Sequence, residues 1–239
     1  MISNKVGPVY VFGPIGSGKT SIARRIYQEL ADDPTYRVAM LLSPNLKSPN
    51  AFLRTIMDEF GVKTARAYDR SLSNFSKFLI EEFEANRTPV LLIDEAQHLR
   101  RDILELIKFL LNYETNTQKL LQIVLFGQSE LASNIGKYPE LKSRMFPSAL
   151  AALNAEDTAD MLAWRFRTAG GDRHPFTPQA VAEIFRRSLG VPREVCRICD
   201  MTLLAAFNRK LEKIDHALVA EVAKDLGLLQ QEPEEVSRA

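Results

Sequence analysis

Cysteine is nearly absent. Only Cys196 and Cys199 occur among 239 residues, and two thiols three positions apart cannot make a disulfide framework. That excludes a disulfide-built secreted domain, and the expectation is a reduced, soluble, cytoplasmic protein. Histidine is as scarce, with only His98, His174 and His216. A zinc site on Cys196-x-x-Cys199 needs two further ligands from that short supply, so the pair reads as packed thiols on a helical stripe with Val195, Thr202, Leu203 and Ala206. No apolar run approaches the roughly 20 residues of a membrane helix. The first residues, Met-Ile-Ser-Asn-Lys, reach Gly13 and Pro14 before a signal-peptide core has room to form. Charge of one sign is missing too: 31 Lys+Arg against 30 Asp+Glu leave a net charge of +1, which by itself names no polyanionic partner. The lone tryptophan, Trp164, falls with Met161 and Phe166 in a helical pattern and reads as core or domain interface rather than a base-stacking platform. No internal repeat is visible.

What is present suits a globular fold, with 46% hydrophobic and 26% charged residues. Val9 to Phe12 is a short apolar run that stops at Gly13, and a helical pattern (Ile22, Ala23, Ile26, Tyr27, Leu30) follows from about Thr20. Val38 to Leu42 repeats the theme, ending at Ser43, Pro44 and Asn45, with a helix expected from Asn50 to Phe60. Another helix is expected from Leu72 to Glu84. Val90 to Ile93 then forms an uninterrupted apolar strand ending at Asp94, and such a run has no polar face. It fits a parallel sheet with helices on both faces. Ile103 to Leu111 reads as helix, and Leu120 to Phe126 as a fourth strand ending at Gly127 and Gln128. Beyond about residue 150 the strands cease, and helical stripes at 155 to 168, 178 to 189, 194 to 208 and 215 to 226 predict a small all-helical domain. The expected division is an α/β domain at 1–152, a helical lid at 153–229 with nucleotide held between them, and a flexible acidic tail at 230–239.

Gly13-Pro14-Ile15-Gly16-Ser17-Gly18-Lys19-Thr20 matches G-x-x-x-x-G-K-[ST] between a strand and a helix, the setting that pattern needs. Its glycines let backbone N–H groups converge on phosphate oxygens, and the following helix N-terminus, with Ser21 in its first turn, adds positive potential. Lys19 reaches the outer phosphates and the Thr20 hydroxyl ligates magnesium. Asp94, at the end of a strand, suits a second magnesium ligand, and Glu95 suits a group that polarises the attacking water. Alone, an Asp-Glu pair after a strand also suits a helix N-terminus. Beside the first motif it reads as catalytic. Gln128, at the end of the fourth strand, would in a parallel sheet share an edge with Lys19 and Asp94. Arg193, in Gly190-Val-Pro-Arg193, sits where a cation opposes the helix dipole, and either a phosphate or a neighbouring acid such as Glu194 would compensate it.

The order of Gly13 to Thr20, Leu92-Ile-Asp-Glu-Ala-Gln97, Leu121-Gln-Ile-Val-Leu-Phe-Gly-Gln-Ser-Glu-Leu131 and Gly190-Val-Pro-Arg193, followed by Ile198-Cys-Asp-Met-Thr-Leu-Leu-Ala-Ala206, resembles the ExeA/GspA-type AAA+ ATPases from residue 9 to about 227. The resemblance implies a P-loop α/β domain with a helical lid, Mg2+ and ATP as cofactor and substrate, Gln128 at the sensor-1 position and Arg193 at the sensor-2 position. It also implies that Arg144, in Leu141-Lys-Ser-Arg144, reaches the ATP of a neighbouring subunit, making the active form a ring or filament. No acidic partner for Arg144 is evident in the sequence. Secretion-type members usually carry a membrane helix and a peptidoglycan-binding domain, which this sequence lacks. The TniB/IstB-like and TnsC-like transposition helpers, which assemble on DNA and contact a transposase, match its length better.

Before residue 151 there are 19 basic and 16 acidic residues, after it 12 and 14. A slightly basic nucleotide domain beside an acidic lid favours duplex DNA as partner, with Lys47, Arg54, Lys108, Lys119 and Lys137 as candidate contacts. A secretion component, or another protein read through an ATP-gated switch, stays open as the alternative partner. His98, just after the acids, reads as an exposed or supporting histidine.

Overall fold

The structure, a computed structural model, describes residues 7–43, 47–115 and 118–228. Pro44 and Asn45 of the expected turn, and the acidic tail at 230–239, lie outside the described residues. The chain divides into two compact units, Met1–Leu150 and Ala151–Ala239.

The first unit is a five-stranded parallel sheet in the order β2-β3-β4-β1-β5. Its strands are β1 (Val9–Phe12), β2 (Tyr36–Leu41), β3 (Thr88–Ile93), β4 (Gln122–Gly127) and β5 (Phe146–Ala149). The uninterrupted apolar run of β3 has a direct explanation in its alternation. Leu91 and Ile93 enter a core shared with Ile123 and Leu125 of β4, while Val90 and Leu92 enter a second core with Val124 and Phe126. The first core is closed by α2 (Pro49–Glu59), α3 (Tyr68–Glu84) and α4 (Arg101–Leu110), through Phe52, Phe75 and Ile107 among others. The second is closed by Ala23, Ile26 and Leu30 of α1 (Lys19–Ala31). Both faces of the sheet are therefore covered, as the residue pattern predicts.

Some boundaries move. Leu42, expected in β2, is exposed beyond its end, and Leu120 and Leu121 are buried just before β4 rather than paired within it. The helices α5 (Ser129–Gly136) and α6 (Pro139–Lys142) and the strand β5 were not expected. All four residues of β5 are exposed, so it carries no apolar signal. Pro147 fits there because the strand lies at the sheet edge.

The second unit is helical: α7 (Ala155–Thr168), α8 (Pro178–Ser188), α9 (Pro192–Asn208) and α10 (His216–Asp225). Three of the four have side-chain caps, from Asn154 to the N–H of Asp157, Thr177 to that of Ala180 and Asp215 to that of Leu218. Leu162, Ile184, Val195, Ile198, Cys199 and Val219 form its core. Trp164 lies outside the core: it is 60% exposed, while its neighbours Met161 and Phe166 pack against that core. Two positions after the buried Leu162, it is turned about 200° around the helix from that residue, onto the outer face. Among the described residues no helix is long and apolar enough to cross a membrane.

Candidate nucleotide-binding site

The glycine loop lies between β1 and α1. Gly16 and Gly18 take φ of 83° and 95°, which a side chain would strain, and Gly18 is the residue that opens α1. No side chain caps α1 and no acid stands in its first turn, which contains Thr20 and Ser21, so its leading N–H groups are left for another acceptor. A Cβ built on Gly18 would meet nothing within 4 Å, leaving open space over the loop. Pro14 and Ile15 form its outer lip, with Ile15 exposed. Ser17 is buried, and its N–H donates to the Pro14 carbonyl at 3.3 Å.

Lys19 is only 7% exposed. Its ammonium donates to the carbonyls of Gly13 (2.9 Å) and Pro14 (2.7 Å) and to Oγ of Ser17 (3.3 Å). An ammonium held at the loop attracts an anion that enters it.

The sheet brings the acids to this loop. Asp94 follows β3, and its N–H donates to the Leu41 carbonyl at the end of β2. Its side chain is buried: Oδ1 accepts the Glu95 N–H at 2.9 Å, and Oδ2 accepts the Thr20 hydroxyl at 2.6 Å. A hydroxyl and a carboxylate held together at the mouth of a phosphate cradle are the hard oxygen pair that suits Mg2+. The donor set fits Mg2+-ATP.

Glu95 has a left-handed backbone (φ 52°), costing about 1 kcal/mol for a non-glycine residue, and it leads into a 3-10 turn at Ala96–His98. Its Oε2 accepts from Nε2 of Gln97 at 2.6 Å, and the exposed His98 ring lies 3.8 Å from the same oxygen. Gln128 follows β4, which lies between β3 and β1, so it emerges beside both the acids and the loop. The adjoining backbones are joined by the Gly13 N–H donating to the Gly127 carbonyl at 3.3 Å. The Gln128 N–H donates to Oε1 of Gln97 at 3.0 Å. Gln97 was assigned no role from sequence, where it is only the polar residue two positions after Glu95.

Arg144 stands apart. Phe146 pairs with Val9, the first residue of β1, whereas the loop follows Phe12, the last. Arg144 therefore lies at the sheet edge opposite its own loop, roughly 13 Å away by strand rise alone. It donates to Oδ1 of Asn112, and its charge adds to the lowering of the Glu114 and Glu140 carboxyls. Lys119 and Lys108 respectively, more than Arg144, hold those two carboxyls below the ordinary range. Residues distant in sequence supply these neighbours.

In the second unit Arg193 is exposed at the second position of α9. Glu194 lies 3.6 Å from Arg197 instead, so Arg193 has no ion pair among the described residues. Cys199 is buried and Cys196 partly so, and no cluster of His, Cys, Asp and Glu able to hold a metal occurs among the described residues.

Four of the five cations considered for DNA are engaged within their own unit. Arg54 donates to the Ala65 carbonyl, Lys108 pairs with Glu105 and Glu140, Lys119 pairs with Glu114, and Lys137 donates to Oδ1 of Asn134.

Strand, glycine loop and helix, with a buried acid delivered by another parallel strand of the same sheet, define a P-loop nucleotide-binding domain of AAA+ type. Residues 4–135 match the family described as AAA domain, and the chain belongs to that family. It is similar to general secretion pathway protein A of Aeromonas hydrophila, 33% identical over 235 residues covering 95% of this chain and 42% of that protein. Among solved structures it is similar in fold to the Aeropyrum pernix ORC2 protein in ADPNP-ADP complexes (TM-score 0.67, 17% identity, 94% of this chain and 64% of that one). It is likewise similar to Drosophila ORC bound to DNA (TM-score 0.68, 19% identity, 92% and 55%). The chain spans less than half the length of the curated relatives it matches, 42% of one and 44% of another.

Proposed function

We propose that this chain binds Mg2+-ATP in the glycine loop and hydrolyses it, using the cycle to control its assembly with further copies and a partner. The observation that carries the reading is the contact of Thr20 with Asp94, which joins the loop to the acid of β3. The loop N–H groups and Lys19 hold the outer phosphates, and Gly13 to Ser21 line the cradle. Thr20 and Asp94 would hold Mg2+, which when bound neutralises charge on the phosphate oxygens. Glu95 orients the attacking water and accepts its proton, while Gln128 contacts the γ-phosphate or that water. Arg144 acts on the ATP of an adjacent copy, a role supported by its position across the sheet from its own loop. A nucleotide phosphate is the anion we assign to compensate the Arg193 charge at the start of α9.

Duplex DNA, bound through phosphates as in a transposition or recombination helper, is the partner we propose first, because the α/β unit has the basic excess (19 against 16 residues). The internal pairing of Arg54, Lys108, Lys119 and Lys137 and the similarity to general secretion pathway protein A favour a second reading, an ATPase of secretion assembly with a protein partner. Fluorescence anisotropy of labelled duplex with ATP, ADP or no nucleotide, at two salt concentrations, separates them. ATP-dependent binding that weakens steeply with salt supports the DNA reading. Absence of binding at low salt, where ATP-induced oligomers are present, supports the second.

A further inference from the structure

The side chain of Gln97 is engaged at both ends. Its Nε2 donates to Oε2 of Glu95 at 2.6 Å, and its Oε1 accepts the backbone N–H of Gln128 at 3.0 Å, 31 positions along the chain. Its own carbonyl accepts from Nδ2 of Asn134 on α5 at 3.2 Å, so this one residue is tied twice to the segment that follows β4. The amide has one workable orientation here. Reversed, it would set its oxygen against a carboxylate and its NH2 against an N–H donor. The surroundings are shaped to it as well: a Cβ on Gly127 would come within 2.8 Å of Oε1, so glycine at the end of β4 leaves room for the bridge.

We propose that Gln97 is the positioning residue for Glu95, holding its carboxylate in register with the Gln128 corner and coupling the two across the site. The proposal rests on the reading of Glu95 as the residue that orients water for ATP hydrolysis. A glutamate side chain on an exposed turn samples several rotamers, and a charge-assisted hydrogen bond from a neutral donor selects one without neutralising the acid. The coupling follows from the other end of the amide. If phosphate contact draws Gln128 inward, the N–H that fixes Oε1 moves with it, and Glu95 is re-aimed while the cradle of Lys19 and Thr20 is untouched. The residue acts through Glu95 and touches neither phosphate nor metal.

Two variants of the full chain test this at neutral pH. Gln97→Met keeps the length of the side chain and loses both bonds. Gln97→Glu keeps the acceptor for Gln128 and replaces the donor with a like charge facing Glu95. The expectation is that both lower kcat by about tenfold or more, a part of the general-base contribution, with KM for ATP within about twofold of the parent. Amide hydrogen exchange without nucleotide supplies a readout independent of turnover. Gln128 should exchange faster in Gln97→Met and at the parental rate in Gln97→Glu. That pattern separates the holding of Glu95 from the docking of α5, because only Gln97→Met disturbs both. Parental kcat in Gln97→Glu, or unchanged exchange at Gln128 in Gln97→Met, overturns the proposal alone. A parent protein that binds ATP and never turns it over overturns the reading of the site, and the inference with it.

Discussion

The Thr20 hydroxyl donates a 2.6 Å hydrogen bond to Oδ2 of Asp94, joining two residues 74 positions apart. Asp94 is buried at the end of β3 and accepts a second bond from the Glu95 N–H, so both oxygens of its carboxylate are held. Asp94→Asn preserves the shape and removes the charge. It is expected to lower affinity for Mg2+-ATP by about tenfold, or about 1.4 kcal/mol, while leaving metal-free ATP binding near that of the parent. Calorimetric titration with Mg2+ and with chelator checks this, and an unchanged Mg2+ dependence removes Asp94 from the metal site.

Glu95→Gln leaves the cradle intact and removes the proton acceptor. Turnover is expected to fall by about 10²- to 10⁴-fold, the range for loss of a positioned general base, with ATP affinity retained and ATP-dependent oligomers persisting in light scattering. Parental turnover in the variant takes Glu95 out of the mechanism.

Arg144 lies across the sheet from its own loop, so its action should pass between subunits. Lys19→Ala and Arg144→Ala are each expected to be inactive alone. Mixed in equal amounts, they should recover about a quarter of parental turnover, because one interface arrangement in four joins an intact loop to an intact arginine when copies assort at random. No recovery from a mixture that co-assembles rules out the role in trans.

Burial pushes the Cys199 thiol up to about 12 and raises Cys196 as well, more weakly. The folded state thus favours the protonated thiols. Their contribution to stability is complete below the unfolded value near 8.5 and is lost as pH rises from there toward 12. Iodoacetamide at pH 8 should label Cys196 slowly and Cys199 more slowly still, with both fast in urea. Rapid native labelling of Cys199 contradicts the packed-thiol account.

The strand β3 was legible because both of its faces are buried, which leaves four apolar residues in a row at Val90 to Ile93. The loop before α1 was legible because its glycines and lysine recur at a fixed spacing within a single turn. The strand β5 was not, since its exposed Phe146-Pro147-Ser148-Ala149 is held at the sheet edge by backbone bonds. One runs from the Phe146 N–H to the Pro8 carbonyl and another from the Leu150 N–H to that of Phe12. Gln97 was hidden for a related reason: its bond to Gln128 exists only because β4 follows β3 in the sheet. Charge counting likewise missed that Lys108 is answered by Glu140, 32 positions on.

In the proposed function Lys19 and its loop hold the phosphates of ATP, which calorimetric titration of Mg2+-ATP into the parent and Lys19→Ala measures, with thermal unfolding of both as the control for folding. Binding should be saturable in the parent and weaker by about 100-fold or more in the variant, about 2.7 kcal/mol, at an unchanged unfolding temperature. Equal affinity in two equally folded proteins would contradict it.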